Sequence, residues 1–266
     1  MSMFVNGVTD YAEWRNFLKD NNEYIKRMAV ISKFIRMMRE AAEKGGVIEE
    51  FQYYELVQQL GVSVMTGKLE DLYSLSTSVL MNPICQFRAK DEDSICRYCF
   101  AASTASRYSG LALMLETNTI IMTKFLIPES ALGTLVWPTT NGDARMESFG
   151  DVMNVTQARN YLRIMRSHSW LNFAVWSKNE GIWYAAFKKE GGKPKNMKFI
   201  VSSPKLNVRV ELPAYIIPYV DHVFTVYTKE YAEANGIEIN CGGRKCITCR
   251  NCYKCGTAFY INELKK

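Results

Sequence analysis

The sequence predicts an α/β fold with parallel strands, on three observations. From about residue 65 onward short apolar runs alternate with segments of helical periodicity, the pattern parallel strands require because each pair needs a crossover. The residues after each run are polar or small, as at the carboxyl ends of strands where ligand-binding groups gather. The 8 cysteines fall into two short segments far apart in the chain, one of them after the first run.

Residues 1–64 lack cysteine and read as a helical extension. Asp10 and Glu13 resemble a capping box, and Trp14, Leu18, Ile25, Met28, Ile31, Ile35 and Met38 recur at helical spacing until Gly45-Gly46. A second helix is expected over 47–60, closed by Gly61, with Phe51, Tyr54, Leu56 and Leu60 as packing residues. Strands are expected at 72–76, 144–149, 171–176, 197–201 and 223–227, and helices at about 104–125, 155–167, 180–190 and 229–235. Asn154 and Gln157 form a capping box for the helix at 155, and Gly191-Gly192-Lys193-Pro194 reads as a turn into a strand. The chain divides into the extension, a strand–helix body over 65–240 and a cysteine-rich tail over 241–266.

Composition narrows the function. A hydrophobic content of 48% supports a packed core. No basic stretch followed by an apolar run opens the sequence, and no uninterrupted apolar run of about 18 residues occurs. A cytoplasmic setting without membrane spanning is therefore expected. There, clustered thiols point to metal rather than disulfides. Net charge is +6, and residues 241–266 hold six Lys/Arg against one Glu, 6 − 1 = +5. With Tyr253, Phe259 and Tyr260 this basicity fits a nucleic-acid patch, but it equally offsets the roughly −2 charge of four thiolates around Zn²⁺ or a 4Fe-4S core.

Cys85, Cys96 and Cys99 are spaced C-x10-C-x2-C, and Cys241, Cys246, Cys249, Cys252 and Cys255 are spaced C-x4-C-x2-C-x2-C-x2-C beside Gly242-Gly243. C-x2-C steps bring two thiolates to one metal centre from a single turn. The tail resembles a ferredoxin-type cluster loop, with Gly256 where proline is usual, and zinc is the alternative there. Three plus five thiols fill two closed sites if one tail cysteine crosses over; otherwise the first three leave one iron open and one tail cysteine is spare. His168 and His222, the only histidines, fit structural roles.

At Cys96-Arg97-Tyr98-Cys99 the chain resembles the radical S-adenosylmethionine superfamily, whose cluster loop ends in cysteine, any residue, an aromatic and cysteine. The resemblance implies a partial (β/α) barrel whose first strand is 72–76. It also implies a 4Fe-4S cluster on Cys85, Cys96 and Cys99 and S-adenosylmethionine on the fourth iron, with Gly150 and Asp151 in place of the glycine-rich cofactor motif. The gap of ten residues between the first two cysteines departs from the usual three. From about Thr66 to Tyr253 the chain also looks like a group of cysteine-rich phage and prophage proteins, through Asn82-Pro83-Ile84-Cys85, Arg145 through Asp151, Trp176-Ser177-Lys178-Asn179, Ser202-Ser203-Pro204 and Cys241-Gly242-Gly243. That resemblance carries no established activity. An enzyme of the radical type uses Asp151, Lys178, Ser202, Ser203 and Lys229 around an unknown substrate. The alternative is a non-catalytic iron-sulfur or zinc protein serving electron transfer, structure or nucleic-acid binding.

Overall fold

The computed structural model describes residues 4–5, 8–9, 21–139, 141–254 and 259–265. Phe4–Val5 (β1) and Val8–Thr9 (β2) pair antiparallel. The expected helix start at Asp10 and Glu13, with Trp14 and Leu18, lies outside the described residues. The described helix is Asn22–Glu43 (α1), capped by the Asn21 side chain, which accepts from the N–H groups of Glu23 and Tyr24. It buries Tyr24, Ile31 and Phe34, whereas Ile25, expected inside, is 52% exposed. The second helix is only Gln52–Val57 (α2), shorter than the expected 47–60.

A seven-stranded sheet follows in the order β3 (Ser63–Val64), β4 (Tyr73–Leu75), β5 (Asp143–Met146), β6 (Asn172–Ser177), β7 (Met197–Ser202), β8 (His222–Tyr227) and β9 (Tyr260–Leu264). β3 pairs antiparallel with β4, and every later pair is parallel. The expected parallel α/β architecture is therefore present. The expected partial barrel is not confirmed: the sheet is open, with β3 and β9 as its edges, and does not close. β9 was not foreseen; the cysteine tail itself supplies the strand that pairs with β8.

Between β4 and β5 lie Pro83–Ala89 (α3), Phe100–Arg107 (α4), Ser109–Lys124 (α5) and Glu129–Leu132 (α6). The single helix expected over 104–125 is two, because Tyr108 is extended (φ −120°, ψ 100°) and breaks the run. Val155–Ser167 (α7), Glu180–Lys189 (α8) and Lys229–Ala234 (α9) match expectation closely. Asn154 caps α7 by accepting from Gln157 N–H, while Gln157 reaches back to Met153 N–H. A long connection over 203–221 joins β7 to β8.

Alternation along the strands divides the sheet into two faces. Leu75, Ala144, Met146, Phe173, Val175, Phe199 and Val201 form one core with α7 and α8, joined by Ile31, Phe34, Leu56 and Val57 of the first two helices. Crossovers of one hand between strands in sequential order lay their helices on a single face. The other face carries Ala174, Trp176, Ile200, Phe224 and Ile261, packed against Cys252 and Tyr253. In a closed barrel that face is the interior; here the cysteine segment covers it. Asp143 anchors that segment, accepting from Arg250 Nη2 at 2.8 Å, with Arg250 in the left-handed region (φ 55°) beyond Cys246–Cys249 (α10).

Among the described residues no helix is long and apolar enough to cross a membrane. His168 is held between the carbonyls of Ile164 and Leu135, at 2.9 and 2.8 Å, in a structural role as expected.

Candidate functional site

At the carboxyl ends of the parallel strands a cavity of about 350 Å³ is lined by Cys85, Cys96 and Cys99, together with Gly150, Asp151, Lys178 and Ser202. Each thiol has its own local support. Asn82 caps α3 by accepting from Ile84 and Cys85 N–H, and its amide donates to the Asp151 carbonyl at 2.7 Å. On the same helix Arg88 donates to the Lys178 carbonyl at 2.7 Å. Cys96 sits in a 3₁₀ turn, Ile95–Tyr98, tied to the loop after β7 by Ile95 N–H and the Ser94 hydroxyl, both donating to the Pro204 carbonyl. Cys99 is the N-cap residue of α4, and its sulfur faces the N–H groups of Ala101 and Ala102.

Burial pushes the Cys85 thiol well above its ordinary value, reinforced by the Asp151 carboxylate and the two neighbouring sulfurs, with Lys178 opposing. Cys99 is raised for the same leading reason, although the two helix N–H groups and Lys178 pull it back. Cys85 and Cys99 thus both sense the Cys96 sulfur and one lysine.

Gly150 is required by packing: a Cβ there meets the Thr77 carbonyl at 2.6 Å and a Glu147 carboxylate oxygen at 2.7 Å. Asp151 accepts from the Ser177 hydroxyl at 2.5 Å and from the N–H groups of Val152 and Lys178, both at 2.8 Å. Its carboxylate therefore ties β6 to the loop after β5. Lys178 and Ser202 line the cavity. Ser203 does not: its hydroxyl donates to the Lys205 carbonyl and closes a turn. Lys229 is exposed beside Glu233, in a different surface depression.

The structure adds Glu147, which sequence reasoning passed over. It follows β5 with a positive φ (57°), lines the cavity and is buried. Its carboxylate accepts from the hydroxyls of Thr77 (2.7 Å) and Tyr161 (2.5 Å), the amide of Gln157 (2.6 Å) and Thr77 N–H (3.1 Å). Burial nevertheless dominates and pushes it up to about 7. A non-glycine residue held in the left-handed region is the visible trace of this constraint, and periodicity carries no sign of it.

Cys241, Cys246, Cys249 and Cys252 line a second, much smaller cavity of about 30 Å³ on the inner face of the sheet. Cys255 lies outside the described residues. Lys68 donates to the Cys241 sulfur at 3.2 Å and to Glu263 at 2.5 Å. Burial alone lowers the Lys68 ammonium; Glu263 and Cys241 outweigh it and hold it above its ordinary value. Burial raises the Cys252 thiol to about 12, with the Cys241 sulfur adding and Arg145 opposing. Trp176 lines both cavities, with the Arg145 guanidinium 3.8 Å from its ring centre. The two cysteine groups are thus separated by one layer of side chains.

The donor sets are all sulfur, with Lys178 beside one group and Lys68 and Arg145 beside the other, which suits thiolate–metal centres of net negative charge. Among the described residues no three Cys, His, Asp or Glu side chains already stand close enough to hold one ion. Binding would turn the thiols inward from the cavity walls.

A protein-family model described as Gene product 88, a phage family, matches residues 58–261. No curated protein and no solved structure matches the chain.

Proposed function

This chain belongs to the Gene product 88 family, and from that premise we propose that it is a cysteine-ligated metal protein with a reactive iron-sulfur centre on Cys85, Cys96 and Cys99. The observation that carries this reading is the division of the described thiols: three line the large cavity and four others line the small one. Cys241 lines the small cavity and not the large one, which supports a first site that it leaves open. A three-thiolate 4Fe-4S cluster leaves one iron unfilled, and it supplies an open coordination position for a chelating cofactor such as S-adenosylmethionine and a site for one-electron reduction. The chain's own residues do the rest. Asn82 and Ser94 fix the loops bearing the ligands, Lys178 offsets their negative charge, and Glu147 and Asp151 hold the adjoining wall.

The second group reads as a closed, structural site. Its cavity of about 30 Å³, against about 350 Å³ for the first, favours a single ion such as Zn²⁺ over a second cluster. In this reading Cys255 is the spare cysteine.

The test is anaerobic reconstitution with iron and sulfide, read by iron and zinc content, absorption near about 400 nm where thiolate-to-iron charge transfer falls, and reductive cleavage of S-adenosylmethionine. Iron held by the wild type and lost in Cys96→Ala, with zinc retained, supports the division. Protein that takes up zinc at both sites and no iron sinks the iron-sulfur reading, and a fully loaded cluster without cleavage removes the radical chemistry.

A further inference from the structure

The acidic groups lining the large cavity are all compensated, whereas Arg145 is not. Glu263 is paired with Lys68, Asp151 is engaged by Ser177 and the Lys178 N–H, and Glu147 is enclosed by four donors. Arg145 lies half-buried in the wall, and its Nε is sealed from solvent without any hydrogen bond. Its one direct contact of note is the face of Trp176, at 3.8 Å from the ring centre. Three residues further along, Ser148 lines the same cavity and is more than nine-tenths buried, and its hydroxyl also lacks a partner.

Unsatisfied buried donors are rare because each costs the desolvation of its group, and a guanidinium costs more than a hydroxyl. A cation–π contact with an indole recovers part of that cost but satisfies no N–H. Both vacant donors therefore call for an acceptor brought from outside. A planar guanidinium suits a two-oxygen anion, which it binds in a forked geometry that lysine does not offer.

We propose that this cavity contains an oxyanion subsite in which Arg145 and Ser148 receive a carboxylate or phosphate group of the ligand. The proposal rests on reading the cavity as the ligand site, and it needs no metal. The Arg145 charge also acts on Cys246 and Cys252, which line the small cavity. A mere counter-ion to the second site is therefore the competing role, and the experiment has to separate the two.

Calorimetric titrations with inorganic phosphate and, in a parallel arm, with acetate test this on the full chain, both as purified and after iron-sulfide reconstitution. The wild type is expected to bind one of the two anions saturably at one site per chain, and the arm that responds tells phosphate from carboxylate. Arg145→Met should weaken that binding at least about tenfold, Arg145→Lys should restore it in part, and Ser148→Ala should weaken it several-fold. Ser148→Ala removes one small hydroxyl, so it keeps the test decisive if Arg145→Met fails to fold. Failure of both anions to bind the wild type, or equal affinity in wild type and Ser148→Ala, overturns the subsite. So does an Arg145→Met protein that binds the anion normally but loses metal from the Cys241 group. Anion binding by protein that never takes up iron would instead leave the subsite standing and remove the cluster.

Discussion

The side-chain amide of Asn82 donates to the main-chain carbonyl of Asp151 at 2.7 Å, while its oxygen accepts from the N–H of Cys85. One residue thus locks the first cysteine to the loop after β5. Asn82→Asp keeps the helix cap but sets an oxygen against the Asp151 carbonyl. It is expected to cost about 1–3 kcal/mol and to lower iron uptake at the large cavity more than zinc uptake at the small one. Equal loss of both metals would show a general folding defect instead.

Gly150→Ala forces a methyl group against the Thr77 carbonyl, a backbone atom that cannot swing aside. Urea unfolding should show a loss of about 1–3 kcal/mol, the usual range for overpacking. A wild-type midpoint in this variant would mean that the loop shifts freely, and the close packing would carry no weight.

Glu147 ties stability to pH in an unusual direction. Its folded value of about 7 lies above the ordinary carboxyl value of 4.5, so the folded chain holds a proton that the unfolded chain releases. Stability is full below about 4.5 and falls as pH rises through about 7, by roughly 3 kcal/mol at 1.36 kcal/mol per pH unit. Glu147→Gln should flatten that segment of the profile. Thermal midpoints from pH 4.5 to 7.5 measure it, and a profile unchanged by the substitution would remove Glu147 as its source.

The two cysteine groups should differ in what their loss does. Cys252 belongs to the core on the inner face of the sheet, with Tyr253, Ala174 and Ile200. Metal binding at a closed site is coupled to folding with apparent free energies of order 10 kcal/mol, so Cys246→Ser should lower the thermal midpoint sharply. Cys96→Ser, in a 3₁₀ turn held by Ser94 and Pro204, should leave it within a few degrees while abolishing one metal centre. The opposite ranking would reverse the structural and reactive assignments.

Removing residues 1–57 deletes Ile31, Phe34, Leu56 and Val57 from the principal core. The truncated chain is expected to be insoluble or to bind a hydrophobic dye. A monomeric, cooperatively folding product would show that the helices are dispensable.

The strands from β4 to β8 were legible because apolar runs of fixed length bounded by turn residues declare themselves locally. The same holds for α7, whose start is written in Asn154 and Gln157. β9 was hidden because Tyr260–Leu264 mixes polar and apolar residues and follows the cysteines, which dominate any reading of that segment. The seven described cysteines and Gly150, Asp151, Lys178 and Ser202, all named from the sequence, lie in the walls of the two cavities. Asp151, read from the sequence as a cofactor-binding candidate, lines the large cavity, and its carboxylate is engaged by the Ser177 hydroxyl and two backbone N–H groups. Lys68 beside Cys241 could not be anticipated, since 173 residues separate them and neither carries a local signal.

The cysteine segment laid across the inner face has a bearing on how the molecule tolerates being cut. The connection over 203–221 exposes Val208 and Tyr215 and offers a protease an entry. A nick there separates the chain into two pieces, yet the second piece supplies β8, β9 and the residues packed on Leu72, Ala174 and Ile200. The pieces are interleaved rather than adjoining, so the nicked protein should migrate as one particle until denatured, and the two pieces produced separately should find each other in solution.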